Sequence, residues 1–458
     1  MSELPDDVDP APIPEPKDSA LGIVLDRGRV LLGRRARRSR FMPGNLAFPG
    51  GRMEPEDRPG TAGAFERCVS REVLEETGLA IPETAWYPAG ERTTPPIFPV
   101  RFRTRFFVAV AGGIPLPPVA PQPQEIETLA FEDPKGVLDA WAAGRALVPP
   151  PLLPILRLLV TLTDADPSRL AARIAAINAA EDPVPKIEFS PGVWVLPVRS
   201  RTLPPASCTN VWIPGGTTSV VIDPGSDDEA EHARLLRLVR RRADEGSPVT
   251  SVVLSHHHRD HVAGAARLAQ ALGVPVLAHA ATLARVPALA GAPTRALVNG
   301  EVLDLGGMRL IAHHTPGHAP GHLAFYDEER RLLLAGDLVS GLSSILVGFA
   351  EGDMEDYLAS LRRVAALAPK AVFPSHGPPI PGAALAAAVA HREERERLVA
   401  AALNDTPRAL QDIARDAYAD TPEAPAFLRE MQTRAHLVHL KERGAARPEG
   451  EDLLRWSR

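Results

Sequence analysis

The sequence predicts a multidomain chain of mixed α/β and α+β class, and three observations predict it. Its 458 residues exceed what one ordinary hydrophobic core accommodates, so two or three domains are expected. In the second half, short β-branched runs (TSVVIDPG, TSVVLSHH, RRLLLAGD) alternate with helical stretches (DEAEHARLLRLVRRRAD, HVAGAARLAQAL), which is the pattern of a layered α/β domain. A hydrophobic content of 45% beside 24% charged residues supplies a core and a solvated surface.

The elements follow in order. Residues 1–18 are acidic and Pro-rich and read as a disordered or extended tail. GIVLDRGRVLLGRR, from about Ala20, reads as two strands joined by an Asp-Arg-Gly turn. AFERCVSREVLEETG has helical spacing and ends at Gly78, a natural stop residue. A strand (FRTRFFVAVA), a Pro-rich loop and a helix around VLDAWAAG come next and complete a first domain over 19–163. Residues 164–190 combine a helix with Pro-punctuated chain and are the expected linker. The alternating α/β domain spans 191–381, and 382–458 is mostly helical.

Composition narrows the partners. A net charge of −6 gives no global electrostatic case for nucleic acid. Two cysteines far apart in the chain, Cys68 and Cys208, suggest no disulfide framework and a reducing, cytoplasmic setting. The N-terminus lacks the basic and apolar regions of a signal peptide. The longest apolar stretch, PILRLLVTL, is too short to span a bilayer, so no membrane partner is expected.

REVLEETG places Glu72, Glu75 and Glu76 at i, i+3 and i+4, so three carboxylates share one helix face. Like charges so placed repel, and a hard divalent cation, Mg²⁺ or Mn²⁺, resolves the cost through oxygen ligands. A solvated acidic face is the alternative. With AFPGG upstream, REVLEETGL resembles the second half of the Nudix box, and the resemblance extends over roughly 20–163. It implies a Nudix α/β/α sandwich and hydrolysis of a diphosphate bond, with metal on the three glutamates. Arg71 would orient a glutamate by salt bridge. The distance from Gly51 to Arg71 exceeds the usual spacing, so MEPEDRPGTAGAFERCVS contains an insertion, and Asp57 is one candidate for the upstream glutamate of the box.

Five arginines lie between Arg34 and Arg40, a run open to reading as a nucleic-acid patch, a solvated cluster or a phosphate site. The register Leu31, Leu32, Arg35, Ala36, Arg40, Gly44 and Phe48-Pro49-Gly50-Gly51 resembles the segment shared by Nudix coenzyme A diphosphatases, with Gly33 in place of Thr. That resemblance makes Arg35, Arg40, Gly44, Phe48, Gly50 and Gly51 the expected substrate-binding residues. Arginine suits such a ligand because its guanidinium binds phosphate bidentately.

SHHHRDH follows the strand TSVVL and offers His256, His258, Asp260 and His261 from one loop. Neutral imidazoles with a carboxylate suit zinc, iron or manganese. His318 in TPGHAPGH, Asp337 in LLLAGD and His376 in FPSHGPP follow in order. The set resembles the metallo-β-lactamase fold, an αββα sandwich, with Asp223 closing an earlier strand. The family layout implies two metals, one on His256, His258 and His318 and one on Asp260, His261 and His376, with Asp337 bridging. Such a pair shares a hydroxide that attacks an electrophilic carbonyl or phosphorus. Eighteen residues between His318 and Asp337 leave no room for the large insertion of the β-CASP nucleases. TNVWI, GHAPGH, SHGPP and the tail resemble the lactamase-B-2-like hydrolases with their C-terminal winged helix.

These features imply a bifunctional metal-dependent hydrolase: a Nudix half acting on coenzyme A or a related diphosphate, and a lactamase-fold half acting on a thioester or ester. Two alternatives stay open. The lactamase half is a single-strand endoribonuclease, or the Nudix half is a non-catalytic coenzyme A or nucleotide sensor. Residues 392–458 carry 12 Lys/Arg against 13 Asp/Glu, which favours a structural or dimer-forming tail over an RNA guide.

Overall fold

The computed structural model describes residues 10–36, 42–113, 126–161, 166–179, 184–348, 351–450 and 453–458. The chain divides into two compact units, Pro12–Pro197 and Val198–Arg458, the second of which includes Ala11. The Ala11 amide donates to the Ala206 carbonyl at 3.0 Å.

In the first unit the chain order is β1 (Lys17–Asp26), β2 (Arg29–Arg35), β3 (Leu46–Ala47), β4 (Gly50–Arg52), α1 (Ala64–Thr77), β5 (Tyr87–Thr93), β6 (Phe102–Val110), β7 (Ile126–Glu132), α2 (Pro134–Ala142), α3 (Leu152–Thr161), α4 (Pro167–Ala179) and the antiparallel pair β8 (Ile187–Ser190) and β9 (Val193–Val198). The expected β1–β2 hairpin forms. Arg27 and Gly28 both take positive φ, 47° and 77°, as a two-residue hairpin turn requires. The main path of the sheet runs β3-β2-β1-β6-β5, with β4 paired to β1 and β7 to β2. Alternation along β6 sends Phe106 and Val108 to one face and Phe107 and Ala109 to the other. One core lies under α1 (Cys68, Val69, Val73) and the other under α2, α3 and α4 (Trp141, Ile155, Ile174). This is a sheet sandwiched between helices.

Two boundaries differ from the sequence expectation. β1 begins at Lys17, inside the stretch read as a tail, because Lys17 and Asp18 pair with Phe102 and Arg103 of β6. Within the expected linker, α4 buries Leu170, Ala171 and Ile174 and is docked on β5. Asn178 fixes the contact, accepting from Arg92 Nε at 2.7 Å and donating to the Ala89 carbonyl at 2.7 Å.

The second unit begins with β10 (Thr209–Pro214), β11 (Ser219–Ile222), α5 (Glu229–Asp244), β12 (Val249–Val253), α6 (Arg259–Val262), α7 (Ala265–Leu272), β13 (Val276–His279), α8 (Ala280–Leu283) and β14 (Thr294–Leu297). A second sheet follows from β15 (Val302–Asp304), β16 (Arg309–His314), β17 (Leu323–Asp327), β18 (Leu332–Gly336), α9 (Met354–Ala366), β19 (Ala371–Pro374) and β20 (Ile380–Pro381). The strand orders are β14-β13-β12-β11-β10 and β15 through β20 in sequence. β10, β11, β17, β18 and β19 are buried at every residue, as strands covered on both faces must be.

The tail comprises α10 (Ala384–Ala401), β21 (Arg408–Ala409), α11 (Leu410–Ala417), α12 (Ala426–Glu442), β22 (Arg447–Glu449) and β23 (Arg455–Ser457). Its helices close over a small core of Val399, Leu403, Ile413, Leu437 and Trp456. The three short strands form a sheet in the order β21-β23-β22 that periodicity did not reveal.

Candidate active sites

In the first unit, α1 presents its apolar stripe to the sheet and leaves Arg71, Glu72, Glu75 and Glu76 on another face. Arg71 organises them. Its Nε and Nη2 donate to the two Asp57 carboxylate oxygens at 3.0 and 2.8 Å, and its Nη1 reaches Glu72 at 3.0 Å and Glu75 at 3.3 Å. Asp57 is buried and also accepts the Glu54 amide at 2.9 Å. Burial alone would raise its carboxyl, but the Arg71 guanidinium and that amide outweigh burial and hold it below the usual carboxylate range. For Glu72 burial wins, and its carboxyl sits above the ordinary value despite Arg71. Glu76 accepts the Gly50 amide at 2.9 Å, which ties the helix to the FPGG loop.

The residues expected to touch substrate divide. Gly50 takes φ 140° where a Cβ would lie 2.2 Å from the Ala20 carbonyl oxygen, so the close approach of this loop to β1 requires glycine. Phe48 corrects the expectation. It is 1% exposed and packed with Ile23, Phe106 and Trp141, a core residue with no face left for a ligand. Arg35 ends β2, its amide donating to Asn45 and its carbonyl accepting from Gly44. Gly51 lies in β4, packed so closely on Glu72 that a Cβ would come 2.5 Å from its carboxylate. Arg40 lies outside the described residues, as do Arg37 and Arg38. Arg34, which had no expected role, donates to the Gly44 carbonyl at 3.3 Å.

In the second unit the candidate residues collect beyond strand ends. Asp223 follows β11, His256 and His258 follow β12, Asp260 and His261 sit on α6, His318 lies between β16 and β17, and Asp337 and His376 follow β18 and β19. Ligand atoms of three groups converge within 4.8 Å of one another: His256, His258 and His318; His256, His261 and Asp337; and Asp260, His261 and His376. The Asp337 carboxylate lies 3.5 Å from His261, 3.6 Å from His318 and 3.4 Å from His376, at the middle of the set.

Three of the rings are oriented from behind. His318 Nδ1 donates to the Leu346 carbonyl at 2.8 Å and His376 Nδ1 to the Cys208 carbonyl at 3.1 Å. A carbonyl only accepts, so each Nδ1 carries a proton and each Nε2 faces the cluster. His261 Nδ1 is held by Asp223 at 2.9 Å, and Asp223 is itself fixed by the Ser255 amide at 2.7 Å and hydroxyl at 2.6 Å. Asp223 takes φ 55°, a left-handed conformation that aspartate tolerates at some cost. His322 is not among the converging ligand groups. It is fully buried between the Asp337 amide at 3.0 Å and Thr315 at 2.7 Å, and burial pushes it down to about 3. His257 turns away to Glu351 at 3.4 Å, and His314 stacks on His279 with ring centres 4.2 Å apart.

Electrostatics mark the centre. Burial disfavours charge on His261, yet Asp337, Asp260 and Asp223 outweigh it and raise the ring to about 10. His376 is likewise raised by Asp337 and Asp260 against burial. Asp260, despite burial, falls to about 2 beside His261 and His376. The sequence pointed to the converging residues and to Asp223 but not to the Leu346 and Cys208 carbonyls, because backbone acceptors leave no sequence signal.

Comparison with known proteins identifies the family of each unit. Residues 201–376 match the metallo-β-lactamase superfamily model and residues 15–149 the NUDIX domain model. The chain is 33% identical to a hydroxyacylglutathione hydrolase of Acidiphilium cryptum over 47% of its own length and 86% of that protein. It is 34% identical to a thioesterase (pkgB) of Emericella nidulans, over 37% of this chain and only 46% of the relative. A β-lactamase domain protein from Burkholderia ambifaria shares the fold at a TM-score of 0.51 and 24% identity, over 60% of this chain and 93% of that one. The molecule is a hydrolase that joins two catalytic folds in one chain. It belongs to the metallo-β-lactamase superfamily, and a NUDIX domain precedes the lactamase fold.

Proposed function

We propose that the lactamase-fold unit is a dinuclear metal hydrolase of thioesters and that the NUDIX unit hydrolyses a diphosphate bond, with coenzyme A or a related nucleotide derivative as substrate. One observation carries the first reading: His261 Nε2, His318 Nε2 and Asp337 Oδ1 are buried without a hydrogen-bond partner among the described residues, and each belongs to a group of ligand atoms that converge within 4.8 Å. Orphaned buried polar atoms are costly and rare, and cations held by these groups would satisfy all three. The raised His261 and His376 say the same, since protons there supply positive charge that a divalent ion would otherwise bring.

His256, His258 and His318 would hold one ion and Asp260, His261 and His376 the other, with Asp337 between them. Zinc, iron or manganese suits this donor set. Bound there, the pair supplies Lewis acidity and a water acidified toward neutral pH. The protein's part is orientation: the Leu346 and Cys208 carbonyls and Asp223 fix three rings so that no imidazole reorients during turnover. The thioester follows from the relatives, one a hydroxyacylglutathione hydrolase and one a thioesterase.

In the NUDIX unit, Glu72, Glu75 and Glu76 would take Mg²⁺ or Mn²⁺, which neutralises diphosphate charge. Arg71 would hold Glu72 and Glu75 in place and itself be held by Asp57. Arg35 and Arg40 would meet substrate phosphates. A panel of coenzyme A, acyl-coenzyme A, ADP-ribose, simple thioesters and single-stranded RNA tests both halves at once. Thioester turnover abolished by His258→Ala, and diphosphate turnover abolished by Glu76→Gln, is the expected outcome. RNA cleavage lost in His258→Ala, with thioesters untouched, would overturn the first assignment, and ADP-ribose turnover without coenzyme A turnover the second.

A further inference from the structure

The tail has a task that its balanced charge does not suggest. Residues 338–348 leave Asp337, cross to the second metal group and return to the first. Near the start, Tyr357 of α9 donates to the Leu338 carbonyl at 2.8 Å. Midway, the Gly341 amide donates to the carbonyl of His376 at 2.8 Å, and Ser340 Oγ to the same oxygen at 3.3 Å. At the far end, the Leu346 carbonyl holds His318. The carbonyls of both residues that flank Leu346 are gripped from the tail. Arg392 of α10 donates through Nη2 to the Ile345 carbonyl, and Gln432 of α12 donates through Nε2 to the Val347 carbonyl. Arg392 Nη1 donates to Gln432 Oε1, which closes the grip.

The two side chains are 3% and 7% exposed, and the partners of Arg392 among the described residues are neutral. A guanidinium buried without a counter-charge is costly, and its donors are spent here on a carbonyl, an amide oxygen and the face of Tyr357. Gly348 completes the contact: at φ 135° its missing Cβ lets α12 approach, where a Cβ would lie 2.9 Å from the Met431 carbonyl oxygen.

We propose that Arg392 and Gln432 are positioning residues for the first metal group, through which the tail sets the orientation of His318. This rests on the dinuclear reading above. Displacing the Leu346 carbonyl removes the acceptor that fixes the His318 tautomer, so Nε2 no longer presents a lone pair to the ion in one geometry. Partners of this kind are worth roughly 10- to 100-fold in metal affinity.

The test is titration of metal-free full-length protein with Co²⁺ alone, read by ligand-field absorbance, for wild type, Gln432→Leu, Arg392→Met, Arg392→Lys and Glu396→Gln. Glu396 lies in the same α10–α12 interface but faces His436, His439 and Arg443, away from the loop, and so controls for loosened packing. Diphosphatase activity of the NUDIX unit reports that each variant is folded and active elsewhere. The expected result is a ten-fold or greater weakening of one Co²⁺ equivalent in Gln432→Leu and Arg392→Met, partial recovery in Arg392→Lys, and wild-type binding in Glu396→Gln. Both equivalents retained in the two loop variants, both weakened together, or equal weakening in Glu396→Gln would overturn the proposal. Wild type that takes up fewer than two equivalents would sink the dinuclear reading instead.

Discussion

Replacing Asp57 with alanine strips the NUDIX unit of the most buried of the three carboxylate partners of Arg71, and the structure sets the size of the effect. Asp57 is 2% exposed and forms two charge-assisted bonds to a guanidinium that is itself largely covered, plus one to the Glu54 amide. Removing one member of a buried pair costs about 3–5 kcal/mol, since the survivor stays desolvated. In a unit of this size each kcal/mol moves the melting midpoint by about 2–4 °C, so Asp57→Ala should lower it by roughly 6–20 °C. Scanning calorimetry of the full chain reads this as one transition falling while the other holds. The folded-state carboxyl lies below its unfolded value of about 3.9, so its contribution is complete above that pH and is lost as pH falls through the lower folded value. The variant should therefore lose less stability than wild type on acidification. A shift under about 1 °C, or equal shifts in both transitions, would show that Asp57 does not carry the anchoring assigned to it.

Three further outcomes follow from the same geometry. Gly50→Ala places a Cβ against the Ala20 carbonyl and displaces the amide that holds Glu76, so diphosphatase kcat should fall ten-fold or more with thioester turnover unchanged, as steady-state kinetics on the two substrates will read. His439 bridges Glu396 at 2.5 Å and Glu355 at 2.7 Å; burial lowers its pKa, but the two carboxylates outweigh it and the net shift is upward. Its stabilisation is full below about pH 6.5 and fades as pH rises through the higher folded value, so His439→Gln should cost more melting temperature in mildly acidic than in alkaline buffer. Dialysis against a chelator should abolish thioester hydrolysis and lower the second unit's transition. Zinc at a hundred times its Kd should restore about 2.7 kcal/mol.

What the sequence revealed and what it hid divide along a physical line. Motif residues carry chemistry in their side chains, and so His256, His258, Asp260, His261, His318, Asp337 and His376 are legible in the sequence as one constellation. The β1–β2 turn and the Gly78 helix end were legible because they depend on local backbone preference. Phe48 was misassigned because FPGG reads alike whether its aromatic ring meets a ligand or the core, and only the position of β3 against α2 and α3 decides. The small β21-β23-β22 sheet was missed because two- and three-residue strands are too short to show a period. Helix α4 was taken for linker because its single apolar stripe is brief and flanked by proline.

The insertion before Arg71 shows why such supports escape a motif. Its length exceeds the usual spacing, yet the loop is closed on itself. Pro55–Asp57 form a single turn capped by Glu54 and Asp57, and Arg58 turns the chain back at φ 55°. Arg67 then fastens it, donating to the Asp57 carbonyl at 3.0 Å, the Ala62 carbonyl at 3.1 Å and Thr61 Oγ1 at 2.6 Å. The extra residues therefore deliver one buried carboxylate to the arginine that holds Glu72 and Glu75. The lactamase-fold unit repeats this logic, with Asp223 behind His261 and the Leu346 carbonyl behind His318. In both candidate sites the converging side chains are set by groups distant in sequence, and loosening those groups should cost orientation before it costs the fold.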